Sequence, residues 1–239
     1  MFLQYVEVEV KPEKLDVFTA LSRAFLGAIA RQPGGVTFRI FRFVDNPLAF
    51  ASVRLWRSKA EADAVWESPH MALMERMSGG MDLFSATRIG GMQQFELIDM
   101  AWGLKGPAAF PGEGRFVHWV SGRLLPENYP GWRTSSRNII ATVSRQPGTA
   151  SFEHFRPVGE ATGFVVIRTY LSQSDEPMVG LGASPEMQWV NEPTRRLEFY
   201  KGVPAPAVRK AYLHDMVWGA AGAACQEFME GNRPYTPPV

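Results

Sequence analysis

Arg31-Gln32-Pro33-Gly34 returns 114 residues later as Arg145-Gln146-Pro147-Gly148. The same offset carries Pro12-Glu13 onto Pro126-Glu127 and Ser22-Arg23 onto Ser136-Arg137. It also carries Phe38 onto Phe152, Phe41-Arg42 onto Phe155-Arg156, Phe50 onto Phe164, Arg54 onto Arg168 and Ser58 onto Ser172. Beyond Ser172 the offset becomes 116. Ser68-Pro69 then falls on Ser184-Pro185, Asp99-Met100 on Asp215-Met216, and Trp102-Gly103 on Trp218-Gly219. One two-residue insertion between Ser172 and Ser184 accounts for the change. Matches this regular over most of a hundred-residue span read as a duplicated domain, since two long copies are not a solenoid.

Each copy has one order of elements. Phe2 to Val10 alternates apolar and polar residues, as a strand does. Pro12-Glu13 suits a first helical turn, and Leu15, Phe18, Leu21, Phe25, Leu26 and Ile29 follow at helical spacing. That helix should stop before Pro33-Gly34. Val36 to Val44 and Phe50 to Trp56 read as strands around an Asp45-Asn46-Pro47 turn. Ser58 with Glu61 forms a capping-box pattern for a second helix running to about Met77. Gln94 to Met100 reads as a fourth strand. The order β-α-β-β-α-β predicts an α+β chain of two tandem ferredoxin-like domains. In the second copy Gly180, Gly182 and Pro185 interrupt the second helix, which is expected to be irregular. The expected division is a first domain over 1–102, a Gly/Pro/Ala-rich linker over 103–114, a divergent second domain over 115–231, and a Pro-rich tail over 232–239.

Composition narrows the function classes. The 239 residues are 46% hydrophobic and 21% charged with a net charge of +1, so no electrostatic footprint for nucleic acid is present. A single cysteine, Cys225, permits no internal disulfide and no cysteine-based zinc site. No apolar run reaches the ~20 residues of a membrane span. The N-terminus lacks a secretory pattern, so a cytoplasmic location is expected. No His/Asp/Glu cluster has metal-ligand spacing, and no Gly-rich phosphate loop is present.

Several motifs resemble the antibiotic biosynthesis monooxygenase (ABM) family: Pro33-Gly34, Arg42 and Phe50 flanking the hairpin, Trp56-Arg57-Ser58, and Ser68-Pro69-His70. The resemblance covers most of 1–100 and extends more weakly over 115–219. It implies a dimeric α/β barrel in which two four-stranded sheets face each other. Here both halves would come from one chain as a pseudo-dimer, which could pair again as a homodimer. Family chemistry ranges from cofactor-independent oxidation of anthrone-type polyketides to haem degradation and isomerisation, so family alone does not fix function. Haem-degrading relatives carry an Asn on strand one and a His about ten residues after a helix-two Trp. Here Trp66 fits, but Arg76 stands at the His position and strand one has no Asn.

The resemblance directs attention to an oxygenase that uses no cofactor and takes a small aromatic, polyketide-like phenol and O2. Such a site needs a base, a positive group for the anion and a dry apolar pocket. His70 is the candidate base and Trp66 its neighbour, with the i,i+4 spacing of one helix face. Arg54 is the candidate for the phenolate oxygen, and Trp56, Tyr5, Phe41 and Phe43 could line an aromatic slot. Each also has a structural reading: Trp56 closing strand three on helix two, Trp66 in core packing, and Arg42 and Arg54 in architectural ion pairs, since both recur. In the second copy Glu186 replaces His70, Gly182 replaces Trp66, Tyr170 replaces Trp56 and His154 replaces Ile40. A possible second pocket would use His154, Arg168 and Tyr170. An O2-independent isomerase or cyclase using the same pocket, and a non-catalytic small-molecule-binding barrel, are the competing expectations.

Overall fold

In the computed structural model, residues 1–69, 71–73, 76, 82–112, 114–176 and 198–223 are described, the side chains of 86–90 and 109 excepted. The first run of elements is β1 (Phe2–Val10), α1 (Leu15–Ile29), β2 (Gly35–Phe43), β3 (Ala49–Trp56), α2 (Lys59–Ala64) and β4 (Phe84–Trp102). The second is β5 (Phe116–Arg123), α3 (Tyr129–Val143), β6 (Thr149–Pro157), β7 (Gly163–Tyr170) and β8 (Ala207–Trp218). The first run is the α+β, ferredoxin-like order expected from sequence, and the second follows it as far as β7 and again at β8, the helix expected between them lying outside the described residues. Hydrogen-bonded neighbours run β4-β1-β3-β2-β8 around the first run of elements and β5-β7-β6-β4 around the second.

Local signals act as their chemistry dictates, with two departures. Pro12 opens a short 3₁₀ turn, Pro12–Lys14, and α1 begins after it. Phe18, Leu26 and Ile29 are buried along the expected apolar face of α1. Ser58 caps α2 by accepting from the Glu61 N–H. The second helix does not run unbroken to Met77. It passes into a 3₁₀ turn at Val65–Glu67, and Ser68 is extended, with ψ 139°. A residue before proline is pushed out of the helical region, and Pro69 follows. Ser68 Oγ then accepts from the Met71 N–H at 3.2 Å, opening a new helical stretch. Trp66 and Met71 thus belong to different helical stretches. Strand β4 is also longer than the expected Gln94–Met100. Its early part pairs with the end of β1, Val10 opposite Phe84, through a ladder with register shifts.

The chain divides into two compact units. Unit 1 comprises Met1–Glu96 with Ala211–Phe228, and unit 2 comprises Leu97–Lys210 with Met229–Val239. Each repeat thus ends inside the unit begun by the other. In unit 1, β8 pairs antiparallel with β2, from Thr37 opposite Trp218 to Phe43 opposite Ala211. Arg23 of α1 lies 3.4 Å from Asp215. In unit 2, Arg137 and Arg133 of α3 reach Asp99 of β4 at 3.3 and 3.4 Å. The repeated Trp-Gly pairs serve the same crossing. A Cβ on Gly103 would sit 1.8 Å from the Thr149 carbonyl oxygen, and one on Gly219 would sit 2.2 Å from that of Gly35. Only glycine permits these close strand approaches.

In unit 1 the two faces of the sheet are distinct because side chains alternate along each strand. Phe2, Val10, Phe38, Ile40, Phe50 and Trp56 pack with Phe18, Leu26 and Ile29 of α1 and with Ala62, Val65 and Met71. Leu3, Tyr5, Arg39, Phe41, Phe43 and Val53 are buried on the opposite face.

Candidate functional site

The layer between α1 and the sheet of unit 1 is not filled. A cavity of about 150 Å³ lies there. Phe18, Leu21, Ser22 and Phe25 of α1 form one wall, and Val6, Val8, Ile40, Phe50, Ser52 and Arg54 project from the strands to form the floor. Trp66 and Met71, on either side of the Ser68-Pro69 break, close one side, and Leu83 and Phe84 complete the lining. Among the described residues the walls are apolar and aromatic apart from two serines and Arg54.

Arg54 is held in place by its neighbours. Its Nε donates to Ser52 Oγ at 3.0 Å. Its guanidinium lies 4.9 Å from the Phe25 ring centroid and 5.2 Å from that of Trp66. Stacking on two π faces suits the planar guanidinium, which is more weakly hydrated than an ammonium. Arg54 is thus a fixed positive charge at the edge of an apolar cavity. The architectural reading suits Arg42 better: its Nε donates to the Pro47 carbonyl at 2.8 Å, bracing the hairpin turn.

The sequence-derived candidates separate into groups. Trp66 and Arg54 meet at the cavity. Trp56 is on the same sheet face but fully buried, its ring 5.0 Å from Phe38 in an edge-on contact, and it is absent from the lining. Tyr5, Phe41 and Phe43 lie on the opposite face, so the structure does not bring them to this cavity; the Tyr5 hydroxyl donates to Glu7 at 2.6 Å. A strand one residue out of phase presents its side chains to the other face, and the sequence gives no sign of which face carries the cavity. His70 lies outside the described residues, as do Met74, Met77, Gly182, Glu186 and the interrupted second helix of the second copy. Phe18, Phe25 and Phe50 are lining residues that sequence reasoning read only as core or framework. The signal for Phe18 and Phe25 was the 3.6-residue stripe of α1, and for Phe50 the two-residue alternation of β3; neither distinguishes a filled interface from an open one.

In unit 2 the counterparts of the lining pack against each other. Trp132 of α3 stands 4.4 Å from Phe164 and 4.8 Å from His154, ring centroid to ring centroid. Trp132 Nε1 donates to the Tyr200 hydroxyl at 2.9 Å. His154 is fully buried, 3.9 Å from Asp99, and burial pushes its pKa down to about 3, with Arg133 and Arg156 adding to the effect. It is therefore a neutral imidazole at ordinary pH. Burial raises the Asp99 carboxyl above its usual range, against the pull of Arg133 and Arg137.

Arg168 and Tyr170 sit in a different cluster. The Arg168 guanidinium lies over Phe152 at 4.9 Å, and Tyr170 packs on His118 at 5.1 Å. His118 Nε2 is 2.8 Å from Glu176, which also takes Lys210 at 2.7 Å. Burial lowers the His118 pKa, opposed by Glu176, and burial raises that of Tyr170. The expected grouping of His154 with Arg168 and Tyr170 thus resolves into two clusters. Sequence reasoning passed over His118 and Glu176. The alternation of β5, which puts His118 on the face of Phe116, was the available signal for the first.

Residues 1–76 match the family described as antibiotic biosynthesis monooxygenase. That stretch supplies the whole cavity lining except Leu83 and Phe84. Among solved structures, a protein provisionally described as a monooxygenase from Fusobacterium nucleatum superposes with a TM-score of 0.72 at 8% identity, covering 91% of this chain and 94% of its own. One with the same provisional description, from Lactobacillus acidophilus, gives 0.72 at 7% identity, covering 91% and 95%. A protein described as anthrone oxidase-like gives 0.58 at 11% identity, covering 92% and 94%. At these identities the likeness is one of fold, and it extends over nearly the full length of both partners. No curated protein matches the chain. No described helix is long and apolar enough to cross a membrane, and no group of His, Cys, Asp and Glu among the described residues could hold a metal ion.

Proposed function

We propose that unit 1 is a monooxygenase-type site that oxidises an acidic aromatic substrate, a phenol or its enol tautomer, with O2 and no bound cofactor. The family match over residues 1–76 supports monooxygenase-type chemistry. The observation that carries the finer reading is the cavity itself, whose walls among the described residues are apolar and aromatic apart from two serines and Arg54. Removing the substrate hydroxyl proton gives an electron-rich anion, which can pass an electron to O2 directly. An apolar enclosure strengthens the attraction between that anion and Arg54 and limits access of water to reactive intermediates.

His70 is the proposed base. Support comes from its position in the chain, between Trp66 and Met71, which both line the cavity. An imidazole titrates near neutral pH and can take the phenolic proton there. One oxygen atom of O2 would enter the product and the other would leave as water. The substrate supplies the electrons, as in the oxidation of a ring CH2 to a carbonyl.

The test is O2 uptake by purified, metal-free and haem-free protein with a panel of phenols. Uptake is expected, and His70→Ala should lower turnover by at least about a hundredfold, the usual scale for a lost general base. Turnover that proceeds equally well without O2 would replace this reading with the isomerase or cyclase one.

A further inference from the structure

Resting on the reading of unit 1 as the site for an aromatic substrate, we infer that Ser52 is a specificity-determining residue of the cavity, its hydroxyl donating to a carbonyl oxygen of the ligand. Placement is the first argument. Ser52 lies in β3, opposite Val6 of β1 and Ile40 of β2. All three line the cavity, so a hydroxyl stands on its floor between two apolar side chains. Although β3 has a paired strand on each side, Ser52 is only half-buried, and the cavity is what its open part faces. A polar group on such a floor is unfavourable unless it is hydrogen-bonded.

Hydrogen bonding is the second argument. A serine hydroxyl has one proton to give and two lone pairs. Ser52 Oγ accepts from Arg54 Nε, and no hydrogen bond among the described residues uses its proton. The other serine of the lining differs: Ser22 Oγ donates to the Thr19 carbonyl at 3.0 Å, so its proton is spent within α1. The repeat supplies a control. Its offset carries Ser22 onto Ser136 and Arg54 onto Arg168, but Ser52 onto Val166. Val166 is buried, and Arg168 Nε is buried with no hydrogen-bond partner among the described residues. The arginine of this scaffold thus keeps its place without a serine two residues before it, and Ser52 is an addition of unit 1. Accepting from a guanidinium polarises the hydroxyl and strengthens the bond it donates. A carbonyl oxygen suits that donor, since it brings no proton of its own. A ligand hydroxyl would need an acceptor for its proton beside Arg54, whose guanidinium has only donors.

The experiment uses the full-length protein under argon with acetophenone and α-methylstyrene, probes of one shape that differ in C=O against C=CH2. Ser52→Thr and Ser52→Val are compared, since the two side chains have one shape and only the first keeps a hydroxyl. The ratio of acetophenone to α-methylstyrene affinity should hold in Ser52→Thr and fall about fivefold to tenfold in Ser52→Val. The infrared carbonyl band of bound acetophenone should lie below its position in hexane for the wild type and Ser52→Thr, and return toward it in Ser52→Val. A purely structural role for Ser52 would move neither readout selectively. Should Ser52→Val fail to fold by circular dichroism, Ser52→Ala takes its place. An equal affinity ratio with and without the hydroxyl, a carbonyl band that stays lowered without it, or no binding of acetophenone to the wild type would each overturn the inference. Because O2 is excluded, the result is separate from the oxygenase test. Binding as described without O2 uptake on phenols would sink only the oxygenase reading, and O2 uptake together with a carbonyl band indifferent to Ser52→Val would sink only this one.

Discussion

Units 1 and 2 share a framework and differ in what fills the layer between helix and sheet. In unit 1, Phe18, Ile40, Phe50 and Phe84 surround open volume. Their counterparts by the repeat offsets are Trp132, His154, Phe164 and Tyr200. Phe84 becomes Tyr200 and Phe18 becomes Trp132, and the pair gains a hydrogen bond that two phenylalanines cannot make. The exchange of Ile40 for His154 sets an imidazole edge-on against the indole. Phe18 and Phe50 pack at 4.7 Å and still border the cavity, and the larger Trp132 packs on Phe164 at 4.4 Å and on His154 at 4.8 Å. Interiors pack at the density of organic crystals, so open volume beside packed rings sets the described layer of unit 1 apart from an ordinary core.

The largest effect should come from emptying the filled side. Trp132→Ala is expected to cost about 3–5 kcal/mol, the range for deleting a buried aromatic. Phe18→Ala, at the counterpart position beside existing open volume, should cost about half as much. Chemical denaturation of the two variants checks this, and equal losses would mean that the two layers are packed alike. The converse exchange, Phe18→Trp, should weaken ligand binding at least about tenfold, or 1.4 kcal/mol. Its effect on stability should stay below about 1.5 kcal/mol, because the added ring enters space rather than a packed core. A calorimetric titration and a melt on the same sample separate the two outcomes.

A further contrast concerns pH. His154 is depressed to about 3 when folded, against an ordinary value of 6.5. Between those values the unfolded chain binds the proton and the folded chain does not. This group's contribution is therefore fully favourable above pH 6.5 and is lost as pH falls, by up to about 1.4 kcal/mol per unit. Asp99, raised by burial, acts in the opposite direction from pH 3.8 upward. His154→Leu should flatten the decline in stability between pH 6 and 4 by roughly that slope, read from denaturation midpoints. An unchanged slope would show that His154 is protonated in the fold. The smallest contrast is at the second helix. Ser58 caps it, whereas Ser172 makes no cap to a backbone N–H and donates instead to Asp175 at 2.6 Å. Ser58→Ala should cost about 1 kcal/mol and Ser172→Ala only a few tenths, measured by thermal melts.

Much of this was legible in the chain alone. The offsets of 114 and 116 carry the framework, and the 2- and 3.6-residue periods carry strands and helices, because local backbone geometry sets those periods. Pro69 marked the helix break as well, though the apolar stripe on either side of it reads as continuous. Part of the site was legible too: Trp66 and Arg54, named from sequence, do meet at the cavity.

Tertiary structure decided three things. It assigned the end of each repeat to the other unit, since strand pairing is a long-range choice that no local pattern encodes. It selected the sheet face, placing Tyr5, Phe41 and Phe43 away from the cavity and Val6, Ile40 and Ser52 beside it. It also set which side chains border the cavity of unit 1. Sequence records how large each side chain is and which way the stripe faces. That Phe18 and Phe50 border open volume, and that Trp132 packs on His154 and Phe164, depends on the distances at which helix and sheet pack.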